Sequence, residues 1–194
     1  THHRIVTGNA ALGQPEVKLG IIPGYGGMQR LPRLVGPRRA AQLSVYGESI
    51  SASEAVATGL ASEYQPSGTA LRRAFEVAKE LADAGRPLAP DWSALAMANN
   101  DEFEQLLADP TVTELLGAEP PDRDTASDLV KARRYAARIA LEALRDGWEL
   151  DLAGGLANDA RLFGHVVASP SGQYWAGRFL AKDPAQQTFL TQLG

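Results

Sequence analysis

GQPEVKLGIIPGYGGMQRL, residues 13–31, holds a lone carboxylate, Glu16, in a mostly apolar run and then closes on a turn crowded with glycine at Gly24, Gly26 and Gly27. Glycine destabilises regular structure and is kept where the backbone must turn sharply or pass close to a ligand. The stretch therefore marks a site. Glu16 follows Pro15 in an expected strand, Ala11 to Val17, and lies eight residues before Gly24. A carboxyl group beside apolar surface suits general acid or base work near neutral pH. The plainer reading of Glu16 is a strand-end ion pair with Lys18. PGYGG, residues 23–27, either presents backbone amides at a helix N-terminus to an oxyanion or a water, or simply joins strand to helix. Tyr25 is accordingly a pocket wall or a core filler.

Composition narrows the chemistry around this stretch. The 194 residues suffice for one domain or a domain with an appendage, and at 44% hydrophobic and 22% charged they read as an ordinary globular chain. The sequence has no apolar run of about 18 residues that would span a bilayer. A net charge of -4 gives no general field for a nucleic-acid backbone. The chain has no cysteine, so disulfides, thiolate metal sites and cysteine nucleophiles are excluded, which suits a reducing compartment; the expected location is the cytoplasm, with a mitochondrial matrix also compatible. No metal site is expected: His2 and His3 would point to opposite faces of a strand, and His165 lies in a helical pattern. Dinucleotide binding is not indicated, because the glycine turn lacks the G-x-G-x-x-G spacing. Arg30, Arg33, Arg38 and Arg39 form either a solvated helix face or a phosphate clamp.

Along the rest of the chain, Arg4–Thr7 reads as a further short strand, and helices are expected over 26–34 and from Pro37 towards Gly47. Ser51 or Ser53 caps a short helix ending at Gly59, and LASEYQP is a strand ending at Pro66. Over 69–84, Leu71, Phe75, Ala78, Leu81 and Ala82 recur at amphipathic spacing and predict a helix. Prolines at 87, 90, 110, 120 and 121 break the following section into short helices and loops. Helices are then expected over 125–145 with Asp124 as cap, over 152–167 and over 173–182.

Three stretches taken together, GQPE, GIIPGYGGMQRL and ISASEAVATGL, resemble the crotonase or enoyl-CoA hydratase/isomerase superfamily, from residue 1 to about 79 and more weakly over 135–184. The resemblance implies a crotonase-like α/β fold, incomplete in this chain. Residues 1–87 would be the second half of its core, 88–133 an insertion-like segment, and 134–194 a helical region for trimer packing and part of the acyl pocket. In hydratases of this kind two glutamates hold the water that adds to a 2-enoyl-CoA, and two backbone amides polarise the thioester carbonyl. The Q-P-E glutamate falls on Glu16, which the resemblance makes the acid that delivers a proton to the substrate α-carbon. Gly24 matches the glycine beside the bound water, Tyr25, Gly26 and Gly27 complete that turn, and Phe179 and Lys182 fall near the acyl-CoA pocket.

The superfamily places both amide donors and the other glutamate in segments that precede the region matched here. An N-terminal half, as a separate chain or as the rest of a longer polypeptide, is thus an expected partner, beside an acyl-CoA substrate and a homo-oligomer, a trimer or dimer of trimers. No nucleic acid, membrane or cofactor is expected, coenzyme A entering as part of the substrate. The insertion-like segment would cover the acyl pocket or build an interface. SPSGQYWAGRFLAK, residues 169–182, departs from the acidic, glycine-containing turn usual before the last helix. The implied activity is enoyl-CoA hydration or its reverse. The alternatives are an alicyclic acyl-CoA hydratase or hydrolase, an isomerase, and, from another class, a non-catalytic acyl-CoA-binding or assembly subunit.

Overall fold

The computed structural model describes residues 2–85 and 100–181. Strand β1 (Ile5–Thr7) is followed by β2 (Ala11–Gly13), a 3-10 helix (Pro15–Leu19), α1 (Gly27–Val35) and α2 (Pro37–Ser44). Then come β3 (Ser49–Ser51), α3 (Ala52–Ala57), β4 (Glu63–Gln65) and α4 (Ala70–Asp83). The described chain resumes with α5 (Asn100–Leu107), α6 (Pro110–Leu116), α7 (Leu129–Gly147), α8 (Leu152–Ala168) and α9 (Pro170–Leu180). β1 pairs in parallel with β4, Val6 opposite Tyr64, and β2 pairs antiparallel with β3, Leu12 opposite Ile50.

The expected strand from 11 to 17 stops at Gly13, and this moves Glu16 off a strand and onto the 3-10 helix. Pro15 explains the change: it has no N–H for a ladder, and its fixed φ suits the first helical position, where it stands. Gly20, at φ 75°, ends that helix by donating its N–H to the carbonyls of Glu16 and Val17. A β-carbon there would press on Ala132 of α7.

Two expected helix starts also move, for reasons of capping. Asp122 Oδ1 accepts hydrogen bonds from the backbone N–H and the hydroxyl of Thr125, at 2.9 and 2.7 Å, which holds 122–125 as a turn. Helix α7 begins only after Asp128, whose carboxylate accepts from the N–H groups of Val130 and Lys131. α9 begins early at Pro170 because the Ser169 hydroxyl caps the Gly172 N–H. Ser51 caps α3 in a reciprocal box with Glu54.

Helix α7 is the centre of the larger core. Tyr135, Ile139, Leu141 and Leu144 are fully buried on it, alternating with alanines that let α8, α1 and the 3-10 helix approach closely. Residues 100–128 join this core: Phe103 stacks on Trp148 at 4.1 Å, Trp148 Nε1 donates to Asn100, and Leu106 and Val112 are buried. A second, smaller core of Val6, Leu31, Leu43, Ile50 and Ala55 lies among the strands, α1, α2 and α3.

Helix α4 forms where its spacing predicts, at Ala70–Asp83. Val77 is buried, and Arg73 bonds Glu63 of β4 at 3.0 Å, yet Leu71 and Phe75 of the apolar stripe are 72% and 68% exposed. Among the described residues nothing covers that stripe.

Deleting the fully buried Leu144 side chain leaves a void against α7's neighbours. Leu144→Ala is expected to lower unfolding free energy by about 2–5 kcal/mol, measured by denaturant titration, with exposed Leu71→Ala as a control that costs far less.

Candidate active site

The 3-10 helix carries Glu16 to the edge of a cleft of about 230 Å³ whose lining includes Gln14, Glu16, Pro23, Tyr25, Gly27 and Arg30. Two structural restraints aim this corner. Gln14 donates its backbone N–H to the Leu43 carbonyl of α2, and Arg133 of α7 reaches across to bond the Lys18 carbonyl at 2.8 Å. Among the described residues Glu16 Oε2 is buried without a hydrogen-bond partner, and no ion pair joins Glu16 to Lys18. A buried, unsatisfied carboxylate oxygen beside a cleft carries a desolvation cost that a bound ligand or water can relieve.

The glycine turn lies opposite. Gly26 sits at φ 72° as the N-cap of α1, in the left-handed region where a side chain is strained. A β-carbon on Gly27 would collide with the Gln14 amide, and one on Gly24 would meet the Phe163 ring of α8. These glycines are therefore needed for close approach on two sides. Tyr25 is 94% exposed at the lip of the cleft, so it fills no core, and its carbonyl accepts from the Arg30 guanidinium.

The basic set divides: Arg30 lines the cleft, and the other three meet protein partners. Arg33 donates to the carbonyls of Gln29 and Leu150, Arg38 faces Glu102 at 3.7 Å, and Arg39 bonds Gln42. Phe179 lies half exposed on α9, away from the residues that line the cleft, and Lys182 lies outside the described residues. Glu16, Tyr25 and Gly27 are brought together, and Gly24 and Gly26 shape the turn behind them.

Sequence reasoning missed three residues here. Gln14 contributes an amide to the cleft, and its Oε1 is buried without a partner among the described residues. Gln29 and Asp159 form a fully buried pair behind the turn, Gln29 Nε2 donating to Asp159 Oδ1 at 2.9 Å. The readable signal was glycine: Gly147 and Gly155 lie inside helices α7 and α8, where a β-carbon on either would strike the Gln29 side chain. Burial pushes the Asp159 carboxyl up to about 6, the hydrogen bond from Gln29 and the charges of Arg30 and Arg33 pulling it partly back. Burial lowers the Arg33 pKa, while Asp159 and Asp151 act to raise it.

Comparison with known proteins now has a geometry to rest on. The enoyl-CoA hydratase/isomerase family model matches residues 1–112, more than half of the chain. The chain belongs to the enoyl-CoA hydratase/isomerase family. A carnitinyl-CoA dehydratase from Mycobacterium thermoresistibile superposes with a TM-score of 0.60 at 20% identity, over 92% of this chain and 54% of that one. This likeness establishes the crotonase fold. An enoyl-CoA hydratase from Bacillus anthracis is 27% identical over 93% of this chain and 51% of its own, with a TM-score of 0.40. A carnitinyl-CoA hydratase from Mycobacterium avium is 22% identical over 92% and 51%, with a TM-score of 0.49. The chain thus spans about half the length of the solved structures it matches. The cleft at Glu16 falls within the matched residues. Among the described residues no helix is long and apolar enough to cross a membrane.

Asp159 makes a pH test available. Its folded pKa, about 6, stands above the ordinary 3.8, so the folded state holds the proton more tightly. The resulting stabilisation is complete below the ordinary value and lost as pH rises through about 6. Wild type is expected to lose stability relative to Asp159→Asn as pH climbs from about 4 to about 7, and to hold a constant difference above that. Thermal denaturation across that range checks it; a difference independent of pH would remove the perturbed titration.

Proposed function

We propose that this chain contributes the Glu16 side of an enoyl-CoA hydratase site, where water adds across the double bond of a 2-enoyl-CoA thioester or is eliminated in reverse. The observation that carries the reading is the buried, partnerless Glu16 Oε2, held on the same cleft as Gly27 and Tyr25. A positioned acid with no internal partner is what protonation of a substrate carbon requires.

In hydration, the oxygen of water bonds to the β-carbon while the π electrons pass toward the thioester carbonyl as an enolate. The Glu16 carboxyl then gives its proton to the α-carbon and becomes a carboxylate. The proton released by water goes to a second carboxylate, and the enolate oxygen is held by backbone donors. Those last groups come from the half of the fold that this chain does not span, on the same polypeptide or on a partner chain. Leu71 and Phe75 on α4 offer that half an apolar surface to cover. Acid and base on one face of the substrate give syn addition, no electrons are exchanged with a carrier, and coenzyme A enters only as the substrate's thioester. The C-terminal helices serve trimer packing in this reading.

Glu16→Gln keeps the shape of the side chain and removes the transferable proton. With the complete fold assembled, kcat for enoyl-CoA hydration is expected to fall roughly 100-fold or more, with substrate binding preserved. Steady-state assay and substrate titration check both halves of that statement. Undiminished turnover would overturn the role of Glu16, and absence of turnover in the complete wild-type protein would leave the chain an acyl-CoA-binding or assembly subunit.

A further inference from the structure

The Gln29–Asp159 pair does more than fill space between α1 and α8. Gln29 is the third residue of α1, one turn from the N-cap Gly26 that shapes the cleft. Its side chain is fully buried, and it enters a slot that exists only because Gly147 and Gly155 carry no β-carbon. Three polar contacts meet there. Gln29 Nε2 donates to Asp159 Oδ1 at 2.9 Å, Arg33 donates to Gln29 Oε1 at 3.1 Å, and Arg33 also bonds the Leu150 carbonyl at 3.0 Å. A leucine pair in such a slot would tolerate sliding, whereas directional bonds fix both translation and rotation of the helix.

The second oxygen, Asp159 Oδ2, is buried and without a hydrogen-bond partner among the described residues. An apolar pair of similar volume would avoid that cost. The charges that face Asp159 come from α1, as Arg30 and Arg33, with Asp151 at the start of α8 acting on Arg33. Arg145 and Asp146 at the end of α7 pair with each other. Arg30 in turn closes the glycine turn through the Tyr25 carbonyl. The carboxylate is thus linked through two arginines and one amide to the backbone that lies opposite Glu16.

We propose that Asp159 is a positioning residue: through Gln29 and the arginines of α1 it fixes where the Gly24–Gly27 turn stands relative to Glu16. The inference rests on the hydratase reading for its effect on catalysis, and on geometry alone for its effect on the turn. A displacement of the turn lowers turnover more than it lowers affinity, because reacting atoms tolerate misplacement poorly.

The test uses the full chain in its complete assembly, comparing wild type, Asp159→Asn, Asp159→Glu and Gln29→Leu. Amide hydrogen exchange of peptides covering 21–31 reads the turn without reference to activity. Exchange there is expected to rise several-fold in Asp159→Asn and Gln29→Leu, with α4 and α6 peptides unchanged. Asp159→Glu, which keeps the charge, restores part of the protection. Enoyl-CoA kcat falls roughly tenfold in the same two variants with KM nearly constant. Wild-type exchange at 21–31 in both variants would overturn the proposal, as would a rise spread evenly over all helices. Local loosening in a protein whose wild type turns over no enoyl-CoA would uphold the positioning role and refute the hydratase reading.

Discussion

Close approach to helix α7 is the constraint on which the rest of this chain depends. Among the described residues, four short strands in two separate pairs give little sheet to build on, so the packing falls to one long helix. α7 buries large side chains at Tyr135, Ile139, Leu141 and Leu144 and small ones at Ala132, Ala136, Ala140 and Ala143. The large residues supply apolar burial, at roughly 1.5–3 kcal/mol each. The small residues decide distance. Ala132 lets Gly20 and the 3-10 helix come near, and Gly147 lets Gln29 in. Glu16 and the glycine turn are therefore both measured from the same helix, although they are separated in sequence from it by over a hundred residues.

This arrangement is asymmetric in how well it satisfies itself. The α7 side is packed and closed, with the 100–116 helices folded into the core beneath Trp148. The strand side is open. β1 has β4 on one edge, β2 has β3, and α4 turns Leu71 and Phe75 to water. The amphipathic spacing of α4 is sound helical chemistry written for a surface that the described residues do not supply. A chain that spans about half of its solved relatives has that kind of surface to spare.

Much of this was legible in the sequence, and the rest had particular causes. Proline and glycine placed α2, α3 and β4 well because their backbone preferences act locally. The family was legible because three motifs coincide, and Glu16, Tyr25 and Gly27 do share a cleft. The backbone at Glu16 was misread because an apolar run looks the same in a strand and in a short helix; Pro15 decided the matter. The starts of α7 and α9 were misread because several Asp and Ser residues compete to cap, and only the structure shows Asp128 and Ser169 winning. For Gln29 and Asp159 the sequence offered only the glycines at 147 and 155, which mark a close approach without naming what approaches. The two are 130 residues apart, so their pairing appears only once the chain is folded.

That last pairing shows why burial should be read as a question about purpose. Two apolar residues would join α1 to α8 more cheaply than an amide and a carboxylate with one oxygen left bare. Such a junction would also be less exacting, since apolar contacts accept many registers and a hydrogen bond accepts few. The helix joined this way is the one that opens on Gly26 and Gly27, and glycine has the least conformational preference of its own. A turn that must be glycine for close approach cannot also hold itself in place by side-chain packing. The position of the cleft's backbone wall has to be imposed from behind, by a contact that is directional and anchored in the core, and the slot between Gly147 and Gly155 provides one.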